Sequence, residues 1–150
     1  ILREDLSEWF EINVDSPYML LVANINSNKK IEMTNEQKNL FGIDKLNVKR
    51  SEIPAVTHVD YSARIQTVTK NTNIRYFDLI SKFKEKTGCP VIINTSFNIR
   101  GEPIVCTPSE AFRCFMGTEL DYLVIGYCIL DKNKQNLSLK KDYKNQFELD

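Results

Sequence analysis

Residues 73–108 constrain the fold more than any other part of this chain. Ile74, Phe77, Ile80 and Phe83 recur at helical spacing, with Lys82, Lys84, Glu85 and Lys86 between and beyond them. That pattern predicts an amphipathic helix over 73–86 with one apolar stripe. Gly88 and Pro90 supply its stop, because glycine takes the left-handed turn after a helix and proline cannot continue one. The apolar run 91–93 is short and abrupt, which predicts a buried strand. Thr107-Pro108-Ser109-Glu110 then combines an N-cap, a proline at the first helical position and a capping-box glutamate. The second helix should bury Ala111, Phe112, Phe115 and Met116. Helix, strand and helix in this order predict α/β layers, with a mixed sheet.

The flanks carry weaker signals. Leu2, Leu6, Trp9 and Phe10 are spaced for a short helix, and Ser16-Pro17 ends that pattern. Residues 18–23 are expected to form a strand buried on both faces. Residues 24–50 are polar, Asn- and Lys-rich, and predict a surface excursion with a short helix near 35–41. Two β-prone segments follow, 54–59 and 63–68, joined through His58-Val59-Asp60-Tyr61. Residues 122–130 predict one final strand with Gly126 as a bulge. The expected organisation is a domain over 1–130 and a polar, peripheral tail over 131–150.

Between the 91–93 run and the second helix lies a dense polar loop. Asn94, Thr95, Ser96 and Asn98 offer donors and acceptors at a strand end, where open α/β sheets commonly place ligands. Any one of them would serve equally as a cap or turn former; four together beside Arg100 point to an anion or nucleotide site, since a guanidinium fork suits phosphate or carboxylate. Alternation puts Arg64, Gln66 and Val68 on one strand face and Ile65 and Thr67 on the other. Arg64 is then either an exposed sheet residue or a guanidinium aimed at a polyanion. His58, two residues from Asp60, is a possible general base but more commonly such a histidine is a structural hydrogen-bonding group. Glu102 could pair with Arg100 or hold Mg²⁺ beside phosphates.

Composition excludes several classes. In 150 residues, 20 basic side chains balance 20 acidic ones, so no global field favours nucleic acid or an anionic membrane. No apolar stretch approaches the roughly 20 residues of a spanning helix. Cys89, Cys106, Cys114 and Cys128 form no C-x-x-C pair and there is a single histidine, so buried free thiols are expected, with no metal site. Without a disulfide framework or export signal the expected compartment is the cytoplasm. No G-x-x-x-x-G-K-[ST] or G-x-G-x-x-G occurs, so a bound nucleotide would be held by another route. The start, Ile1-Leu2-Arg3-Glu4, falls in mid-pattern and reads as part of a longer polypeptide.

Three segments resemble the C-terminal region of the NodU/CmcH-type O-carbamoyltransferases. They are Ser16-Pro17-Tyr18-Met19-Leu20, the stretch from Ile53-Pro54-Ala55-Val56-Thr57-His58-Val59-Asp60 into Ala63-Arg64-Ile65-Gln66-Thr67-Val68, and above all residues 90–108. Ala111-Phe112-Arg113-Cys114-Phe115 and Leu123-Val124-Ile125-Gly126 extend it. The resemblance implies a YrdC-like α/β fold, a twisted mixed β-sheet with packed helices and a concave ligand site, here incomplete at its N-terminal edge. It implies formation of carbamoyladenylate from carbamoyl phosphate and ATP, with Mg²⁺ assisting. An N-terminal Kae1-like acceptor domain of the same polypeptide would pass the carbamoyl group to a hydroxyl. Arg64 and Ser96 would carry the chemistry; Asn94, Thr95, Asn98, Arg100 and His58 would bind substrate or nucleotide. The competing readings are a non-catalytic YrdC-like nucleotide- or RNA-binding module, and an interaction domain that only stabilises a partner.

Overall fold

The computed structural model describes residues 1–140 and Phe147. The chain forms mixed α/β structure in two compact units, Ile1–Ile93 and Asn94–Asp150. Each is described here by itself.

In the first unit the opening apolar residues form a 3₁₀ turn, Arg3–Asp5, running into the single-turn helix α1, Leu6–Trp9. Leu2, Leu6, Trp9 and Phe10 are all buried, as their spacing requires. Strand β1 is Leu21–Asn24 and β2 is Ser62–Ile65, paired antiparallel with Val22 opposite Arg64 and Asn24 opposite Ser62. Between them lie the short helices α2, Asn35–Lys38, and α3, Gly42–Leu46. Ala23, Ala63 and Ile65 face a core shared with Leu6, Trp9 and Phe10. The opposite face of this ribbon is open, with Val22 57% exposed. The expectation that residues 18–23 are buried on both faces is therefore corrected. A two-stranded ribbon covers its apolar residues on one side only, and Tyr18 and Leu20 lie outside it.

Helix α4, Ile74–Thr87, matches its prediction closely. Asn73 caps it by accepting the Tyr76 N–H at 3.1 Å, and Gly88 closes it at φ 76°. Only the middle of the apolar stripe is fully used. Ile80 is completely buried with Leu2 and Val68, while Phe83 is partly exposed. Residues 54–59 are not a strand, because Pro54 has no N–H to give a ladder and starts a 3₁₀ turn, Pro54–Val56, instead. Residues 91–93 likewise form no strand among the described residues, and Ile93 is 58% exposed. Val91, Ile93, Phe83, Ile53 and Val56 line an open apolar groove of about 390 Å³.

The second unit is built on helix α5, Pro108–Gly117, and a hairpin of β3, Tyr122–Ile125, with β4, Cys128–Asp131. Ala111, Phe115 and Met116 pack on Leu123. The single strand expected over 122–130 is a two-residue hairpin, since Ile125 pairs with Cys128 across Gly126-Tyr127. Gly126 has φ 57°, the left-handed conformation that hairpin turns commonly demand of a central residue. The sheets are thus two antiparallel pairs, and the only parallel pairing among the described residues is an isolated bridge from Leu2 to Val68.

The capping box of α5 is complete. Glu110 N–H reaches Thr107 Oγ1 at 3.2 Å, and Thr107 N–H reaches Glu110 Oε2 at 2.9 Å. Hydrogen bonds from the Cys106 backbone, then from Thr107, hold the Glu110 carboxyl below the usual carboxylate range. A group whose folded pKa is lowered stabilises above its unfolded pKa and loses that contribution as pH falls through the lower folded value. Thr107→Ala is expected to cost about 1 kcal/mol at neutral pH, read from the helical circular-dichroism transition.

Cysteine burial is corrected: only Cys114 is buried, Cys89 is intermediate, and Cys106 and Cys128 are exposed, all four as free thiols. Among the described residues no helix is long and apolar enough to cross a membrane. The expected tail falls partly on 3₁₀ turns at Lys132–Lys134 and Leu137–Leu139; residues 141–146 and 148–150 lie outside the described residues.

Candidate functional site

The predicted residues separate into two groups, His58 and Arg64 in the first unit, and Asn94, Thr95, Ser96, Asn98 and Arg100 in the second. Strand β2 sets the first group. Ala63 and Ile65 are 1% and 2% exposed in the core, so alternation turns Ser62 and Arg64 to the other face. Arg64 is exposed there, and its Nη2 donates to the Met19 carbonyl at 3.2 Å. Gln66 continues the strip, its amide donating to the Pro17 carbonyl at 2.8 Å. Val68 leaves it for the core, where the strand has ended.

His58 joins the same strip through Ser62. Its Nδ1 lies 2.8 Å from Ser62 Oγ, and that hydroxyl donates to Asp60 Oδ1 at 2.6 Å. Asp60 Oδ1 also accepts the Ser62 backbone N–H at 3.0 Å. The Ser62 hydroxyl is the main reason the exposed Asp60 carboxyl stays below its ordinary range. The loop is kinked at Tyr61, whose φ of 65° is left-handed. Such a residue persists only where its surroundings over-determine it. Here the Tyr61 N–H bonds the His58 carbonyl at 3.1 Å, and the Tyr61 hydroxyl reaches the Ile31 carbonyl at 3.3 Å.

Beneath that loop sits a residue the sequence did not single out. Arg50 is 2% exposed and, among the described residues, donates only to backbone carbonyls: Nε to His58, Nη2 to Thr57, and Nη1 to Lys45, Leu46 and Val48, at 2.6 to 3.2 Å. It gathers the end of α3 and the His58 loop onto one cation. No motif announces such a role, since its partners are main-chain atoms of any residue type.

In the second unit residues 94–96 are exposed and irregular. A tight turn follows, in which the Glu102 N–H bonds the Ile99 carbonyl at 3.1 Å, with Gly101 at φ 80°. Positive φ at the third position is the type II signature, so glycine is required there, and Arg100 is presented at the exposed tip. Asn98 works inside the loop, its Nδ2 donating to the Ile99 and Glu102 carbonyls at 2.9 and 3.1 Å. Its Oδ1 is buried without a partner among the described residues. Glu102 is 6% exposed; Oε2 accepts the Ile99 N–H at 3.0 Å and Oε1 takes Arg113 Nη2 at 2.9 Å.

The reading of Glu102 as a partner of Arg100 or a Mg²⁺ ligand therefore gives way to a structural one. Both oxygens already brace the turn, and the cation is Arg113. Among the described residues no group of three or more His, Cys, Asp or Glu could hold a metal ion. Glu102, with both oxygens engaged by protein donors, does not fit the role of a magnesium ligand. Glu102→Ala should free the Ile99 amide, raising its hydrogen-exchange rate about 10- to 100-fold for a loss of 1–3 kcal/mol.

Comparisons with known proteins place the chain in a family. A family model described as the carbamoyltransferase C-terminus matches residues 1–132. An uncharacterised protein of Synechocystis sp. is 51% identical over all of this chain and a quarter of its own length. Nodulation protein NolO of Bradyrhizobium diazoefficiens is 37% identical over 91% of the chain and 22% of its own length. The 3'-hydroxymethylcephem-O-carbamoyltransferase of Streptomyces clavuligerus is 30% identical over 82% of the chain and 19% of its own length. The chain belongs to the carbamoyltransferase C-terminus family, and it spans a quarter or less of the length of these relatives.

Proposed function

We propose that this chain is the C-terminal part of an O-carbamoyltransferase and that it forms carbamoyladenylate from carbamoyl phosphate and ATP. A separate Kae1-like domain of the same polypeptide would then transfer the carbamoyl group to a hydroxyl of a sugar or antibiotic-like acceptor. The observation that carries the reading is the outward face of β2. There an exposed guanidinium lies along one strip with His58 while the other face is core. Family membership and a relative named for carbamoyl transfer support the reaction class.

The chemistry suits residues that position anions. Water releases phosphate from carbamoyl phosphate, the resulting carbamate oxygen bonds to the α-phosphorus of ATP, and pyrophosphate leaves. No protein nucleophile is needed; the demand is for two anions held together and their charge offset. Arg64 supplies the fork, and Asn94, Thr95, Ser96, Asn98 and Arg100 are proposed to bind substrate or nucleotide within the second unit. Mg²⁺ would come with the nucleotide, held by its phosphate oxygens. The test is carbamoyl-phosphate-dependent exchange of labelled pyrophosphate into ATP, measured on the full-length protein. Exchange that vanishes without carbamoyl phosphate supports the proposal. ATP binding with no exchange under any condition would make this a binding module instead.

A further inference from the structure

The hydrogen-bond directions around His58 fix more than its position. A serine hydroxyl has one proton. Ser62 spends it on Asp60, the shorter contact at 2.6 Å, to a carboxyl held ionised by that same bond. Ser62 Oγ can therefore only accept from His58, so Nδ1 carries the ring proton across the 2.8 Å contact. Nε2 is left with its lone pair on an exposed side chain, and it has no partner among the described residues. Main-chain contacts hold the ring's base in place. The His58 N–H bonds the Ser62 carbonyl at 2.8 Å, and the His58 carbonyl accepts from Arg50 at 3.2 Å.

A bare acceptor and a guanidinium thus lie on one strand face. Ser62, which holds the imidazole, and Arg64 are two residues apart, roughly 6.6 Å along a strand. Their chemistry is opposite. The guanidinium wants an anionic oxygen, whereas a neutral imidazole nitrogen repels one and wants an N–H or O–H. A ligand that meets both carries a phosphate at one end and a hydrogen-bond donor at the other. Carbamoyl phosphate has that form, with an amide NH₂ beyond its acyl carbon. Acetyl phosphate has nearly the same shape but ends in a methyl group.

We propose that His58 is the residue that selects carbamoyl phosphate, its Nε2 accepting a hydrogen bond from the carbamoyl NH₂ while Arg64 holds the phosphate. Ser62 and Asp60 are positioning residues that keep the ring in the accepting tautomer. This rests on the function proposed above, since it names the contact that the same site makes to its acyl donor.

Two measurements test it. His58 is the only histidine of the chain, so a long-range ¹H–¹⁵N spectrum of the labelled chain reports one imidazole without assignment. The expected pattern at neutral pH is the Nδ1-protonated tautomer, shifted toward the Nε2-protonated form in Ser62→Ala and restored in Ser62→Thr. An Nε2-protonated ring in the unaltered chain overturns the proposal. The second measurement is equilibrium binding of carbamoyl and acetyl phosphate to the full-length protein. Carbamoyl phosphate should bind about tenfold tighter, the worth of one hydrogen bond of about 1.4 kcal/mol. His58→Phe should erase the preference, so that carbamoyl phosphate binds no tighter than acetyl phosphate. A preference that survives His58→Phe overturns the role of His58 and leaves the reading of Arg64 standing. If neither acyl phosphate binds, both readings fall together.

Discussion

Arg64→Ala is expected to lower carbamoyl-phosphate-dependent pyrophosphate exchange about 100- to 1000-fold, the usual effect of removing one preorganised electrostatic contact to developing charge. Stability should hardly move. Arg64 is exposed, and among the described residues its Nη2 makes one hydrogen bond, to the Met19 carbonyl. A bond of that kind contributes about 0.5–1.5 kcal/mol. Arg64→Lys separates charge from shape. A lysine keeps the charge but cannot present a planar fork to phosphate while also reaching Met19, so most of the loss should persist. Ser96→Ala should reduce exchange as well, with folding unchanged because Ser96 is exposed. If exchange in Arg64→Ala and Ser96→Ala equals that of the unaltered protein, the site lies elsewhere.

The parts of the fold legible in the sequence are those whose signals are local. The capping box at Thr107 and Glu110 and the Gly88 stop of α4 each depend on side chains a few residues apart, so the chain states them outright. The hairpin turn was not legible, because Gly126-Tyr127 lacks the Asn-Gly or Asp-Gly signal and the apolar run continues through it. Burial of strands was overestimated for a different reason. Val22 and Ile93 are apolar but exposed at 57% and 58%. Hydrophobicity records what a residue tolerates, whereas burial requires a covering layer that no single segment encodes.

The candidate site follows the same division. Arg64 was placed on its face by period-two alternation, which holds as far as Gln66 and fails at Val68, once the strand has ended. His58 and Asp60 were visible as neighbours, but the link between them was not. It runs through Ser62, which the histidine reaches only because Tyr61 turns the chain back at a left-handed φ of 65°. A tyrosine gives no hint of that conformation. The anchoring of the loop by Arg50 was equally hidden, in a polar stretch that reads as solvated surface.

Arg50→Ala is expected to be among the most destabilising single changes in the first unit, by about 3–4 kcal/mol, because each buried carbonyl left unsatisfied costs about 1–3 kcal/mol and water can recover only some of them. Five carbonyls converge on the guanidinium: those of Lys45, Leu46, Val48, Thr57 and His58. Lysine would offer three donors from a single point, so Arg50→Lys should fall between, at about 2 kcal/mol, since an ammonium cannot span a fork's geometry. Arg50→Met retains much of the stem's packing but no donor. It should therefore resemble alanine if hydrogen bonding dominates, and lie within about 1 kcal/mol of the unaltered chain if packing does. Trp9, the only tryptophan and 4% exposed in the core of that unit, reports the transition by fluorescence in denaturant. The same substitutions bear on function, since the His58 carbonyl is one of the five. A loop that loosens at its base cannot keep the imidazole over Ser62, so the preference for carbamoyl over acetyl phosphate should shrink in Arg50→Lys even where the protein remains folded. Unchanged discrimination in a folded Arg50→Lys would show that the Ser62–Asp60 relay holds the ring without help from below.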